Sequence, residues 1–202
     1  MGNRCWISLA IVLVCGATMC AGQDKASNSP KSKPAAAESK DAKIKRALSA
    51  APASIARAAT VVDIETNWLW HNGTRSQQAK TTVLRQGANG FTCIAGHPGV
   101  VGDDPACMDA AASQWVNDWM AHKPKPTNTQ PGIMYMLAGG TDWSASDPSA
   151  SSGTPIKEPP HWMLMWPFDP KTSGLSDQAK QTGTWIMWAG TPYAHLMINQ
   201  RP

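Results

Sequence analysis

Residues 159–168, PPHWMLMWPF, decide the fold of this chain, and a second run of the same character follows at residues 185–198, WIMWAGTPYAHLMI. Neither run contains a charged residue, and each combines tryptophan and methionine with one histidine. Side chains alternate between the two faces of an extended chain. We therefore predict two core strands, each of which presents a histidine beside methionine on one face: His161, Met163 and Met165 in the first, and Tyr193, His195 and Met197 in the second.

The apolar composition is unusual for a chain of 202 residues. It contains 10 Trp and 10 Met but only 2 Phe and 2 Tyr, so tryptophan and methionine must fill core volume that Phe and Tyr usually fill. The 16 Gly and 16 Pro indicate many turns and short elements rather than a long helical bundle.

The formal charge of +4 is unevenly distributed. Residues 23–57 carry a net charge of +5, whereas the chain from residue 58 onward carries −2. The basic character therefore belongs to an N-terminal segment. The remaining sequence has no basic patch interleaved with stacking aromatic residues, and we predict no binding of nucleic acid.

The first 22 residues have the pattern of a secretory signal peptide. Arg4 precedes an apolar run over residues 6–14, and small residues before Gln23 suit cleavage near Ala21 or Gly22. Lipid attachment at Cys20 is the alternative, although the preceding Met19 is bulky for a lipoprotein signal. We expect a secreted or periplasmic protein, with no transmembrane helix after cleavage because no other apolar stretch reaches about 20 residues.

Residues 23–50 are rich in Lys, Ser, Ala and Pro and have almost no large apolar side chain. Such a segment buries too little surface to offset its ordering entropy, so we predict a disordered basic linker. It serves either as a spacer or as an electrostatic attachment to an anionic envelope surface. A single globular domain is expected over residues 51–202.

Further strands and one helix are predicted within this domain. Residues 60–64 form a strand, residues 81–85 and 91–94 a hairpin around QGANG, and residues 133–138 a buried strand. The helix spans about residues 105–122, with Asp104 as cap, Pro105 in the first turn and a stop at Lys123–Pro124. The predicted fold class is α+β: a mostly antiparallel sheet or partial barrel of about five to seven short strands, with this helix packed against it.

Several motifs occur in an order that resembles a family of uncharacterised secreted bacterial proteins. They are APASIARAATVVD, VLRQGANGFTC, PACMDAAASQWVNDWM, MYMLAGGTDWSASDP, PPHWMLMWP and GTPYAHLMI, and they cover most of residues 51–198. The resemblance implies a recurring exported module. It implies no established activity and no catalytic residues.

Two cysteines, Cys93 and Cys107, remain after removal of the predicted signal peptide. An even number of cysteines in an exported protein indicates a disulfide, here between the second hairpin strand and the first turn of the helix. The alternative is a metal site formed by Cys93, His97 and Cys107, although this spacing lacks the paired cysteines of a zinc module.

The histidine and methionine faces suggest copper as a cofactor. Imidazole and thioether groups suit Cu(I), and His161, Met163, His195 and Met197 would form one site if the two runs were neighbouring strands. The competing interpretation is structural, because methionine fills irregular cores and packs well against aromatic rings.

Exposed aromatic residues suggest a ligand surface, formed by Trp68, Trp70, Trp143 and Tyr193. The candidate partners are a glycan, a cell-envelope component or a small apolar ligand. No catalytic motif is present, so a binding or envelope-associated module is the main functional prediction, with a copper or redox protein as the alternative. A small secreted hydrolase with His161 or His195 as base is a third possibility, with Tyr193 as the nearest polar companion of His195.

Overall fold

The structure is a computed structural model that describes residues 38–65 and 80–200. Its elements follow one another along the chain as α1 (Lys40–Leu48), α2 (Ala53–Ala56), β1 (Thr60–Ile64), β2 (Thr81–Arg85), β3 (Thr92–Ile94), β4 (Ala106–Met108), α3 (Ala110–Met120), β5 (Gly132–Met136), β6 (Gly140–Asp142), β7 (Ile156–Glu158), β8 (His161–Met165), α4 (Pro170–Ser173), β9 (Gly183–Met187) and β10 (His195–Asn199). In the described ranges, no helix is long and apolar enough to cross a bilayer.

Eight strands form one mixed sheet in the order β2-β1-β3-β4-β5-β8-β10-β9, and β6 pairs with β7 in a separate hairpin. All neighbours in the large sheet are antiparallel except β1 and β3, which are parallel. The prediction of a mostly antiparallel sheet with one main helix is confirmed, but the described residues form ten strands, eight of them in the large sheet, instead of the five to seven expected. The strand order is that of an open sheet, with β2 and β9 at its ends in the part of the chain described, so it does not support the partial barrel.

The predicted hairpin of residues 81–85 and 91–94 is wrong. Strand β1 lies between them, antiparallel to β2 and parallel to β3. The connecting loop packs instead on the chain before β1, where the backbone N–H groups of Ala88 and Asn89 donate to the carbonyl of Ala58. Residues 86–90 therefore connect the two strands, but β2 and β3 do not pair with each other. Each pairs instead with β1, which lies about 25 residues earlier in the sequence.

Helix α3 is shorter than the predicted helix of residues 105–122. Asp109 is its N-cap, and the Asp109 side chain accepts a hydrogen bond from Ala112 N at 2.8 Å and one from Ile133 N at 3.0 Å. Residues 106–108 form strand β4 instead of a first helical turn. The predicted cap, Asp104, accepts hydrogen bonds from the backbone N–H and the hydroxyl of Thr141.

The close packing of α3 on the sheet depends on Gly132 at the start of β5. A Cβ atom at this position would lie 2.1 Å from Ala112 N and 2.5 Å from its Cα atom, well inside van der Waals contact. The buried side of α3 is formed by Ala111, Ala112, Trp115 and Asp118. Small residues therefore bring the helix backbone close to β5, and Trp115 fills the wider space towards β8 and β10.

The predicted linker and the structure differ over residues 38–50, which belong to the folded unit. Ser39 caps α1, and Ala47 on its inner side is 0% exposed. Arg46 donates to the carbonyls of Ala95 at 2.9 Å and Gly96 at 3.0 Å. The predicted domain boundary at residue 51 is thus placed too late, because the inner side of α1 has only Ala47 with the partly buried Ile44 and Leu48, too few apolar residues to stand out from a linker.

The predicted disulfide between Cys93 and Cys107 is confirmed. The two residues are directly opposite each other on β3 and β4, so Cys107 belongs to a strand and not to the first turn of the helix. Because both sulfurs are used in the bond, the alternative metal site with His97 is wrong. The His97 ring instead pairs with Asp103, with 2.7 Å between Nδ1 and Oδ2.

Two apolar clusters lie on the sheet. One surrounds α1 and α2 and contains Val61, the disulfide and several alanines. The other lies under α3 and contains most of the buried methionine and tryptophan, including Met163, Trp115 and Trp185. The second cluster lies on the sheet face that carries His161 and His195.

Candidate functional site

A row of methionines crosses four neighbouring strands on the face beneath α3. The register pairs Met108 with Met134, Met134 with Met163, and Met163 with Met197. Paired side chains project from the same face and lie within contact distance. The first apolar run forms β8, whereas the second is not the single strand predicted: it contains the end of β9, a turn that includes Tyr193, and β10. Strand β10 is the neighbour of β8, as the copper hypothesis required.

The space between this face and α3 is a cavity of about 680 Å³. Its apolar wall includes three tryptophans, Trp115, Trp119 and Trp188, and seven methionines: Met108, Met120, Met134, Met136, Met163, Met165 and Met187. Cavities of this volume with a mainly apolar lining and a few polar groups are typical of small-molecule sites. Methionine is flexible and polarisable, so such a wall adapts to the shape of an apolar guest.

Trp188 has an unusual backbone at the edge of this cavity. Its φ angle is 54°, a left-handed conformation that costs a bulky residue energy. Hydrogen bonds from Trp188 N to Ala145 O at 2.8 Å and from Nε1 to Ser144 O at 2.9 Å hold it in place. The indole stacks on Trp115, with ring centroids 5.9 Å apart and an interplanar angle of 10°. The turn after β9 therefore fixes an aromatic wall against α3.

His195 lies at this aromatic end of the cavity. It is 2% exposed, and the Trp115 and Trp188 rings meet it edge-on at centroid distances of 5.2 and 5.0 Å. Burial lowers the pKa of His195 to about 4, although the contact of Nδ1 with the Tyr193 carbonyl at 3.0 Å opposes the shift. The imidazole is neutral at pH 7, with Nδ1 as donor and Nε2 carrying the lone pair.

His161 lies at the other end of the β8–β10 pair and is 0% exposed. Its Nδ1 donates to the Pro159 carbonyl at 2.7 Å, the same local arrangement as in His195. Burial lowers the pKa of His161. Its Nε2 atom lies 3.7 Å from Glu158 Oε2 and has no hydrogen-bond partner in the described structure.

The two histidines do not share one point. His161 is opposite Asn199, whereas the register places His195 across from Met165, four residues further along β8. Four residues of strand span about 13 Å. The structure thus brings together Met163 and Met197 of the predicted copper set but separates the two imidazoles. Among the described residues, no group of three or more His, Cys, Asp or Glu side chains is placed to hold a metal ion.

A carboxyl-rich region borders the His161 end of the cavity. Glu158, Asp104 and Asp142 line it, and the Glu158 side chain is 7% exposed. Burial, followed by the nearby charges of Asp142 and Asp104, raises the pKa of Glu158 to about 8. Burial also raises the pKa of Asp104, against the hydrogen bonds from Thr141. Glu158 is therefore mostly protonated at pH 7 when the cavity holds no cation.

Glu158 also lines a second cavity of about 270 Å³. Trp185, Met197 and Asn199 form other parts of this wall. Asn199 Nδ2 donates to the Lys180 carbonyl at 2.5 Å, which leaves its Oδ1 atom without a partner among the described residues. The start of the first apolar run and the end of the second therefore lie at a small polar region beside Glu158.

The structure describes only two of the four residues of the predicted aromatic surface. Trp68 and Trp70 lie outside the described residues. Trp143 is half-buried and is not part of either cavity wall. Tyr193 is 6% exposed, and its hydroxyl donates to the Lys123 carbonyl at 2.8 Å, so this group is engaged away from the His195 ring.

Sequence reasoning missed Glu158, Asn199 and Trp188 as site residues. Glu158 immediately precedes the uncharged run of residues 159–168, and a single acid at the start of such a run was an available signal. Asn199 follows the second run by one residue in the same way. Trp188 gave no signal, because its role depends on a left-handed turn that the sequence does not mark with glycine.

No family model matches this chain, and comparisons with curated proteins and with solved structures also find no match.

Proposed function

We propose that this chain is an exported binding module that holds a small, largely apolar ligand between α3 and the sheet. The observation that carries the proposal is the cavity of about 680 Å³ with its methionine and tryptophan wall. Of the partners suggested by the sequence, a small apolar ligand fits a concave, mainly apolar volume better than a glycan, which needs an exposed aromatic platform. The disulfide and the signal-like N-terminus support a secreted or periplasmic location.

Fluorescence with an uncharged reporter, N-phenyl-1-naphthylamine, tests this proposal. Trp115 and Trp188 line the cavity and can transfer excitation energy to a bound reporter. We expect saturable binding of one reporter per chain. Ala106→Met adds volume to a wall residue that is 1% exposed, and should weaken binding about tenfold or more.

Ala88→Met is the matched control, because it makes the same change at an exposed position. It should leave reporter binding unchanged. Binding that does not saturate, or that is equally weakened by both substitutions, would remove support for the cavity as the site.

Cu(I) binding is a second candidate function, with a ligand set that differs from the predicted one. Met187 is directly opposite His195 on β9, and Met165 lies across from it on β8. All three line the cavity, and His195 Nε2 carries a lone pair suited to a metal. His161 is not part of this set.

Titration with Cu(I) against a chromogenic chelator distinguishes this ligand set from the one predicted from the sequence. If His195, Met165 and Met187 bind the ion, His195→Asn and Met187→Leu should each lower the affinity by about tenfold or more, whereas His161→Asn should not. Equal affinity in the wild type and in His195→Asn would reject the copper function.

A further inference from the structure

Four of the six buried side-chain atoms that lack hydrogen-bond partners in the described structure lie around Glu158. They are Glu158 Oε1, His161 Nε2, Asn199 Oδ1 and Trp185 Nε1. His161 and Asn199 are cross-strand neighbours, and Glu158 Oε2 lies 3.7 Å from His161 Nε2. Burying polar atoms without partners is costly, so a concentration of them at one place indicates an absent guest.

Three of these four atoms are acceptors. The Nδ1 donor of His161 is used by the Pro159 carbonyl, and the amide donor of Asn199 by the Lys180 carbonyl. Ionised Glu158 is also an acceptor only. The group that suits three neighbouring acceptors is a primary ammonium, which has three N–H donors and no acceptor. The fourth atom, the Trp185 indole nitrogen, is a donor and suits an oxygen atom of the guest or a water molecule.

The charges of the site favour a cation. Asp104 and Asp142 face the same cavity as Glu158 and act on it electrostatically. Lys157 and Lys180 border the smaller cavity, but both are exposed, and the described ion pairs of Glu158 include neither of them. An organic cation fits better than a metal ion, because the acidic and histidine side chains described are not grouped for metal coordination.

We propose that Glu158, His161 and Asn199 receive the primary ammonium group of an amphiphilic ligand whose apolar part occupies the methionine-lined cavity. Glu158 lines both cavities and therefore lies where the acceptors and the apolar wall meet. Gly140 lets Met136 and Asp104 pack close to β6, since a Cβ atom there would lie 2.8 Å from the terminal methyl of Met136 and 3.2 Å from an Asp104 oxygen. The inference rests on the proposed binding function and adds the chemical class of the ligand.

A matched pair of probes, octylammonium and octanol, tests this inference by displacement of N-phenyl-1-naphthylamine and by calorimetry. The two probes share an apolar chain and differ in the head group. We expect octylammonium to bind about tenfold or more tightly than octanol to the wild-type chain, because a charge-assisted hydrogen bond to the Glu158 carboxylate forms only with the amine.

Binding of octylammonium should also release a proton at pH 7. The cation requires the carboxylate form of Glu158, whose pKa is about 8 in the free protein under the influence of burial, Asp142 and Asp104, with His161 as the other titratable neighbour. Affinity should rise with pH, by up to about tenfold per unit, until pH 8 and then level off. Calorimetry in two buffers of different ionisation enthalpy measures the released proton.

Glu158→Gln should remove both the preference for the amine over octanol and the proton release. Glu65→Gln is the control, because it makes the same change on a glutamate whose side chain is 57% exposed. Asn199→Leu provides a second variant that removes an acceptor without changing charge. It should reduce the preference for the amine by about threefold or more.

Failure of this inference differs from failure of the proposed function. If the reporter binds but octanol and octylammonium displace it equally, the ammonium site is rejected and the apolar cavity function stands. If the reporter does not bind, yet calorimetry detects octylammonium in the wild type and not in Glu158→Gln, the ammonium site stands and the apolar cavity function is rejected. If none of the three molecules binds, both are rejected.

Discussion

His195 and His161 show how burial and one local hydrogen bond determine the chemistry of a side chain. In both residues Nδ1 contacts the carbonyl oxygen two positions earlier, and burial lowers the pKa. Both rings are thus neutral at pH 7. Their surroundings differ: a carboxyl group lies near Nε2 of His161, whereas the His195 ring contacts two tryptophans and has methionines as its cross-strand neighbours.

The lowered pKa of His195 predicts how stability depends on pH. In the unfolded chain this histidine takes up a proton near pH 6.5, whereas in the folded chain it does so only near pH 4. Stability should therefore fall as the pH falls from 6.5 to 4. The contribution of this residue reaches at most about 1.4 kcal/mol per pH unit, and His161, which has a similar environment, adds to the total.

Urea unfolding of His195→Asn at several pH values measures this effect. The variant should show a shallower loss of stability between pH 6.5 and 4 than the wild type, even if it is less stable overall. His122→Asn replaces an exposed histidine and should keep the wild-type slope. An unchanged slope in His195→Asn would mean that the ring is protonated in the folded state.

At the scale of elements, the contact between α3 and β5 determines the distance between the helix and the sheet. Gly132→Ala would place a methyl group within 2.1 Å of the helix backbone at Ala112. The helix must then move away from the sheet, and we expect a loss of about 2–4 kcal/mol in the free energy of unfolding. Chemical denaturation gives this value. Gly90→Ala is a comparison without a steric contact, although its positive φ adds a small strain.

Elements were predictable where the signal was local. Strands β1, β5, β8 and β10 follow from β-branched content and alternation, because those patterns depend on neighbouring residues. The pairing of β1 between β2 and β3 was not predictable, since it depends on a parallel contact between distant segments. Strand β4 has only three residues. It was not predicted because Asp104 and Pro105, which precede it, suit the start of a helix equally well.

The candidate site was predictable in part. Alternation placed the histidines and methionines on one face, and the composition indicated that β8 and β10 belong to the core. The register was the missing information: a shift of four residues separates His161 from His195 and pairs His161 with Asn199. Glu158 belongs to a different hairpin, β6–β7, whose placement over this face no local pattern encodes.

At the scale of the whole molecule, the folded unit begins before the predicted domain boundary. The buried residues Ala47 and Ala50 are both 0% exposed, and Leu137 N donates to the Ala50 carbonyl at 2.9 Å. A chain that begins at residue 51 lacks α1 and covers the disulfide face of the sheet only with α2 and the residues next to it. We expect it to be less stable than a chain that begins at residue 38 by roughly 3 kcal/mol or more.

Thermal unfolding of the two chains, both with the disulfide intact, tests this expectation. Equal melting temperatures would show that residues 38–50 do not contribute to the folded unit. Reporter binding should be retained by the shorter chain if it folds, because α1 covers the opposite face of the sheet from the cavity.

The central claim is that the space between α3 and the sheet is a ligand site. Energy transfer from tryptophan to N-phenyl-1-naphthylamine, measured at equilibrium in the wild type, Ala106→Met and Ala88→Met, tests it most directly. We predict one saturable site, weakened about tenfold or more by Ala106→Met and unchanged by Ala88→Met. Absence of saturable binding in the wild type, or the same affinity in all three chains, would contradict it.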